Sequence, residues 1–150
     1  MSGRVVVGID GSDTSRRAVR WAAHEARLRG AKLEIVSAWH VPLYGYAHVG
    51  SVTAISQDIL QGLVENTEEH LAEATREARV EAGDIELETI AAEGRPAKVL
   101  LQVSQGADLL VVGSRGLGGF RELLLGSVSQ QCAQHASCPV VIFRHVDMAA

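Results

Sequence analysis

Cysteine, proline, lysine and aromatic residues are all scarce in this chain: its 150 residues include two Cys, three Pro, and Trp, Tyr and Phe twice each. Each shortage excludes something. Cys132 and Cys138 are too few for a disulfide framework, and their spacing matches no C-x2-C template for zinc or redox chemistry. They read as reduced structural thiols, with a redox role as the other reading. No apolar run approaches the roughly 20 residues that span a bilayer, and Met1-Ser2-Gly3-Arg4 leads into a strand-like run without a signal-peptide pattern. The expected compartment is therefore the cytoplasm, with no membrane partner. Excess positive charge is also missing. The net charge is -4 and the arginines are dispersed, which argues against non-specific binding of nucleic acid or an anionic surface.

What is present is ordinary for a globular protein: 47% hydrophobic and 21% charged residues, which sets aside disorder and collagen-like repeats. The length suits one domain over residues 1–150, large enough to bury its own core. Along it, short apolar runs alternate with helical patterns. Val5-Val6-Val7-Gly8-Ile9 ends at Asp10-Gly11-Ser12-Asp13, a turn and N-cap signal, and Ala18, Ala22 and Ala26 then recur at helical spacing up to Gly30. A second strand is expected at Leu33–Trp39 and a second helix from about Ser56 to Ala82, after an irregular stretch from His40. Ile85–Ile90 alternates with period two, as a half-exposed edge strand does. A helix from Pro96 to about Gln105, an apolar strand at Leu109–Gly113, a Gly-rich loop at Ser114–Leu125, a helix at Ser127–Ala136 and a last strand at Val140–Phe143 follow.

Five strands alternating with four helices call for a parallel, doubly wound α/β sheet covered on both faces. The last strand stands out, because Val140, Val141, Ile142 and Phe143 are apolar on both faces although some strand must lie outermost. A bare apolar edge invites pairing with another chain. A homodimer through this strand is the expected solution.

The strongest chemical signal is Gly113-Ser114-Arg115-Gly116, followed after nine further residues by Gly126-Ser127-Val128-Ser129, a G-x2-G-x9-G-S spacing that leaves a strand and opens a helix. Small residues let backbone N–H groups approach an anion, and a helix N-terminus adds partial positive charge. The loop has no lysine and so is not a Walker A motif, and the first strand-to-helix turn lacks the G-x-G-x-x-G of a dinucleotide site. The competing reading is a plain Gly-rich connection with Ser127 as an N-cap. Ligands of doubly wound sheets bind beyond the carboxyl ends of the strands where the chain order reverses. If the first and fourth strands are neighbours, Asp10 and Gly113 meet there, and Asp10 faces the sugar hydroxyls of a nucleotide; its alternative role is an Asx-turn or cap. Six histidines show no metal-site pairing, and Trp21 and Trp39 read as packing residues, with a stacking platform as the other reading.

The runs V-V-V-G-I-D-G-S at 5–12, V-V-G-S-R-G-L-G-G-F at 111–120 and L-L-G-S-V-S at 124–129 resemble the universal stress protein family, over nearly the whole chain. The resemblance implies sheet order 3-2-1-4-5, dimer contacts through the last strand, and ATP binding, since members with G-x2-G-x9-G-[ST] bind it. It also implies roles: Gly8, Ile9 and Asp10 on the adenosine side, Ala38 and Val112 flanking adenine, and Gly113 and Gly116 shaping the loop. Gly126, Ser127 and Val128 then hold phosphates, Arg115 reaches phosphate or stays solvated, and Ser129 touches phosphate or faces its own helical turn. Any Mg2+ is expected to be carried by the ATP phosphates. Phosphoryl transfer needs a group to place water and a charge to stabilise the transition state, and no such set is evident, so binding with slow or no turnover is expected. On this reading the nucleotide orders residues 114–125 and so signals to an unknown protein partner. The alternatives are a slow ATPase or phosphotransferase, and a module for another adenine ligand such as cyclic AMP.

Overall fold

Residues 3–41, 57–114 and 125–144 are described in the computed structural model. Their chain order is β1 (Arg4–Ile9), α1 (Asp13–Arg29), β2 (Lys32–Trp39), α2 (Gln57–Ala82), β3 (Leu87–Glu93), α3 (Pro96–Val103), β4 (Leu109–Gly113), α4 (Ser127–His135) and β5 (Val140–Phe143). All strand neighbours are parallel and the sheet order is β3-β2-β1-β4-β5. The order expected from the resemblance is therefore the observed one. The chain winds outward from β1 to β3, then crosses back to place β4 on the other side of β1, with Val5 opposite Leu109 and Val7 opposite Val111.

Strand periodicity divides the apolar residues between two cores. Val5, Val7, Leu33, Ile35 and Val111 face α1 and α2, whose small Ala18, Ala22, Ala26, Ala74 and Ala78 let the helices settle close to the sheet. Val6, Val36, Leu110 and Val112 face the other way, against Val99 and Leu100 of α3 and Cys132 of α4. The caps of α1 are those the sequence signals. Ser12 Oγ accepts from Ser15 N at 3.2 Å, and Gly30 closes the helix at φ 63°, a left-handed geometry that glycine adopts without steric cost.

The third strand differs from its expected bounds, running over Leu87–Glu93 rather than 85–90. Pairing decides this. The Arg79 guanidinium holds the carbonyls of Gly83 and Ile85 at 2.9 and 2.6 Å, so Ile85 is still part of the helix exit. The ladder starts where Leu33 N–H meets Glu86 O and continues to Glu93 opposite Trp39. At the other edge β5 is half-buried at every position, Val141 and Phe143 touching one core and Val140 and Ile142 the other. Among the described residues no helix is long and apolar enough to cross a membrane.

Candidate functional site

A cavity of about 550 Å³ opens at the carboxyl ends of β1, β2 and β4. It sits where the winding direction reverses between β1 and β4, the place at which a doubly wound sheet leaves a crevice between its crossovers.

The floor on the β1 side is built by a local hydrogen-bond pattern. Asp10 Oδ1 accepts from Ser12 N at 2.9 Å, and Ser15 Oγ donates to Ser12 O at 3.0 Å. Asp10 thus makes the Asx-turn that was its alternative role and also lines the cavity. Gly11 within that turn has φ +83°. Gly8 lines the cavity too, but its missing side chain has a packing cause: a Cβ there would lie 2.7 Å from Leu100 Cδ1 of α3. Ile9, Ala38, Val112 and Gly113 complete the strand-end surface.

On the opposite side α4 starts without a side-chain cap. Its N-cap is Gly126 rather than Ser127, whose Oγ instead accepts from Gln131 Nε2 at 3.0 Å. The first intrahelical bond runs from Gln130 N to Gly126 O, so the N–H groups of the first turn precede the ladder and remain available to an anion. Gly126 N donates to Ser114 O at 2.7 Å, and the Ser129 hydroxyl lies 3.0 Å from both Ser114 O and Gly126 O. Ser129 is buried and committed to these carbonyls. It pins the start of α4 to the end of β4. Gly126, Ser127, Val128 and Ser129 all lie on the cavity wall, while Arg115 and Gly116 lie outside the described residues.

The structure adds a wall that was not read from the sequence. Leu63, Asn66, Thr67 and His70 reach the cavity from α2 at i, i+3, i+4 and i+7, one face of the helix. The legible signal was a change of chemistry along that face, which is apolar again from Leu71 onward. Trp39 and His40 also line the cavity, whereas Trp21 packs on the core under α1 as expected. Pro96 and Leu100 close the α3 side.

Among the described lining residues the ionisable groups are Asp10, His40 and His70, and none is Lys or Arg. What the described residues offer an anion is therefore backbone N–H groups and a helix end. Below α4, burial pushes the Cys132 thiol up to about 11, with the nearby Cys138 adding to the shift. This thiol is a buried apolar contact of the α4 core. Among the described residues no group of three His, Cys, Asp or Glu side chains is placed to hold a metal ion.

The family model described as the universal stress protein family matches residues 1–144. The chain belongs to the universal stress protein family. Universal stress protein YxiE of Bacillus subtilis is 34% identical, over 96% of this chain and all of that protein. A universal stress protein solved in complex with cyclic AMP is 33% identical, covers 95% of this chain and 97% of its own, and superposes with a TM-score of 0.69. The universal stress protein of Archaeoglobus fulgidus in complex with dAMP is 26% identical, covers 93% and 96%, and has a TM-score of 0.64.

Proposed function

We propose that this universal stress protein binds an adenine nucleotide in the cavity at the β1–β4 switch point, and that occupancy rather than turnover is its output in a stress response. The observation that carries this reading is convergence: Asp10, Ala38, Val112, Gly113 and the Gly126–Ser129 turn come from four segments far apart in sequence and line one cavity. Two family relatives, solved with cyclic AMP and with dAMP, support an adenine mononucleotide as the ligand class. In this arrangement the base lies over Ala38 and Val112 beside Gly8 and Ile9, the sugar faces Asp10, and the phosphate meets the N–H groups of Ser127 and Val128. Gly113 and Gly116 shape the approach, and Arg115 reaches the phosphate or stays solvated.

A second reading keeps ATP as the ligand, favoured by the complete G-x2-G-x9-G-S spacing. The absence of a cap on α4 suits a polyphosphate as well as a monophosphate. Asp10 is the one carboxylate among the described lining residues, so Mg2+ would travel on the ATP phosphates. Measuring the absorbance and mass of the purified protein tests for a carried nucleotide. A competition titration then separates the readings. Cyclic AMP and AMP should displace an adenine probe at lower concentration than ATP; the reverse order selects the ATP reading, and no displacement by any of them overturns both. Incubation of excess protein with ATP and Mg2+ measures turnover, which should be slow or nil.

The dimer reading rests on β5, apolar on both faces and half-buried at the sheet edge. Pairing of two copies along it would cover Val140–Phe143. Sedimentation should give a dimer at micromolar concentration that Val141→Glu converts to monomer.

A further inference from the structure

The inward face of α2 changes character along its length. Leu71, Ala74, Ala78 and Ala82 are buried against α1 and the sheet. One or two turns earlier the same face presents Asn66, Thr67 and His70 to the cavity. A helix face that lies on a core is apolar, so a polar stretch within it marks a surface that meets something other than core. Thr67 has a local explanation, since its hydroxyl donates to Leu63 O at 2.8 Å. Among the described residues neither Asn66 nor His70 has a hydrogen bond from its side chain.

His70 has a defined place. A Cβ on Gly11 would lie 2.5 Å from His70 Nε2 and 2.6 Å from Cε1, so the outer edge of the imidazole rests on the backbone of the Asp10-Gly11-Ser12 turn. Asp10 gives one carboxylate oxygen to Ser12 N, leaving Oδ2 for a ligand. The His70 ring, against Gly11, and the free carboxylate oxygen of Asp10, the residue before it, thus line the same cavity. The base surface, Ala38 and Val112, and the anion surface, Ser127 and Val128, are elsewhere on the cavity lining. The moiety that joins a base to a phosphate is the sugar, and a ribose keeps a 2′-hydroxyl that donates and accepts whether its 3′-oxygen is free, as in AMP, or esterified, as in cyclic AMP.

We infer that His70 is a specificity-determining residue that hydrogen-bonds the ribose 2′-hydroxyl, with Asp10 taking the 3′-hydroxyl of ligands in which it is free, so that the α2 wall makes the site select ribonucleotides over 2′-deoxyribonucleotides. The inference rests on the adenine-nucleotide reading and deepens it. An apolar ring in place of the imidazole leaves the hydroxyl desolvated and unpaired, and the deoxy ligand loses nothing by the same change.

The test is calorimetric titration of the full chain with AMP and with 2′-deoxy-AMP, for the unmodified protein, His70→Phe and His70→Gln. Phe keeps a ring against Gly11 and removes its hydrogen bond; Gln keeps a donor and acceptor. The unmodified protein should prefer AMP by roughly fivefold, the worth of one hydrogen bond. His70→Phe should bring that ratio to one at unchanged Tm, and His70→Gln should retain part of it. The His70 imidazole resonances followed by NMR, which need no variant, should shift more with AMP than with the deoxy nucleotide. Tight binding of both nucleotides at equal affinity, or a ratio untouched in His70→Phe, overturns the sugar-reading role alone. Binding of neither overturns the adenine-nucleotide reading and this inference with it.

Discussion

The two ends of the sheet use polar residues in opposite ways. At the amino ends of the strands, Glu34 on β2 is 5% exposed and its carboxylate is met by Arg4 Nη1 at 2.7 Å and by Lys32 Nζ at 3.6 Å. Arg4 is itself used up: Nη1 also reaches Val103 O at 3.2 Å, Nη2 reaches Gln105 O at 2.6 Å, and its backbone N–H is taken by Asp108. Lys32 further hydrogen-bonds Glu88 on β3. At the carboxyl ends the described lining carries no Lys or Arg, yet it holds the uncapped first turn of α4, one oxygen of Asp10, and the side chains of Asn66 and His70. The charged end is closed upon itself and stabilises the sheet. Among the described residues the carboxyl end carries little charge and keeps its hydrogen-bonding capacity for something else.

The sharpest way to break that contrast is to open the closed end. Arg4→Ala leaves Glu34 buried with only Lys32 nearby, and should cost about 3 kcal/mol in denaturant unfolding. Nucleotide affinity measured in the same variant should be unchanged, because the two clusters lie at opposite ends of the strands.

The thiol under α4 gives the next effect. Cys132 titrates at about 11 in the folded protein against an ordinary 9.0. A raised folded value means that the folded state holds its proton more tightly than the unfolded chain. The resulting stability is complete below 9.0 and is lost as pH rises from there through about 11, on the order of 2 kcal/mol in all. Thermal melts across that window should show the loss, and Cys132→Ala should remove that part of the pH slope.

Gly11→Ala acts at the open end. It places a side chain at φ +83° and against the His70 ring, which should cost about 1–2 kcal/mol of stability. Nucleotide binding should weaken as well, because the turn that aims Asp10 and the ring beside it both have to move. An unaltered affinity would show that this turn is not part of the site.

The smallest effect concerns how α2 is held in position. Arg16–Glu73, Arg20–Glu77 and His24–Glu81 join α1 to α2 at successive turns, at 3.0, 2.6 and 3.8 Å. The hydrogen bond from Arg20 keeps the Glu77 carboxyl below its ordinary 4.5. A lowered folded value contributes stability above 4.5 that disappears as pH falls through the folded value. Because the pair is exposed, Glu77→Gln should change the acid limb of the stability curve only slightly. Salt should reduce even that difference.

Much of the fold was legible because its signals are local. Alanines at helical spacing, Ser12 and Gly30 at the two ends of α1, and the alternation of continuous and half-exposed strands each depend on neighbours within a turn or two. The topology followed from alternation of strands and helices, and its particular order from the family resemblance. Boundaries set by pairing were less legible: β3 begins where Leu33 finds the Glu86 carbonyl, a contact that the residues after Gly83 do not announce. Glycine spacing singled out the loop after β4 and the start of α4, whereas Ile9, Ala38 and Val112 were candidates through the family resemblance. Two alternatives, the Asx-turn at Asp10 and the role of the Ser129 hydroxyl, needed the positions of Ser12, Ser114 and Gly126.

By itself the amino-acid sequence determined the kind of elements, their alternation, the apolar last strand and a glycine pattern suited to an anion, since these follow from side-chain period and backbone freedom. Only the tertiary structure decided which polar groups are spent and which remain free. Arg4 is consumed by Glu34, and His70 is set on Gly11 from a distant helix. The physical reason is that hydrogen-bond satisfaction is a property of pairs, and the pairs that matter here are brought together by packing across the sheet rather than by nearness along the chain.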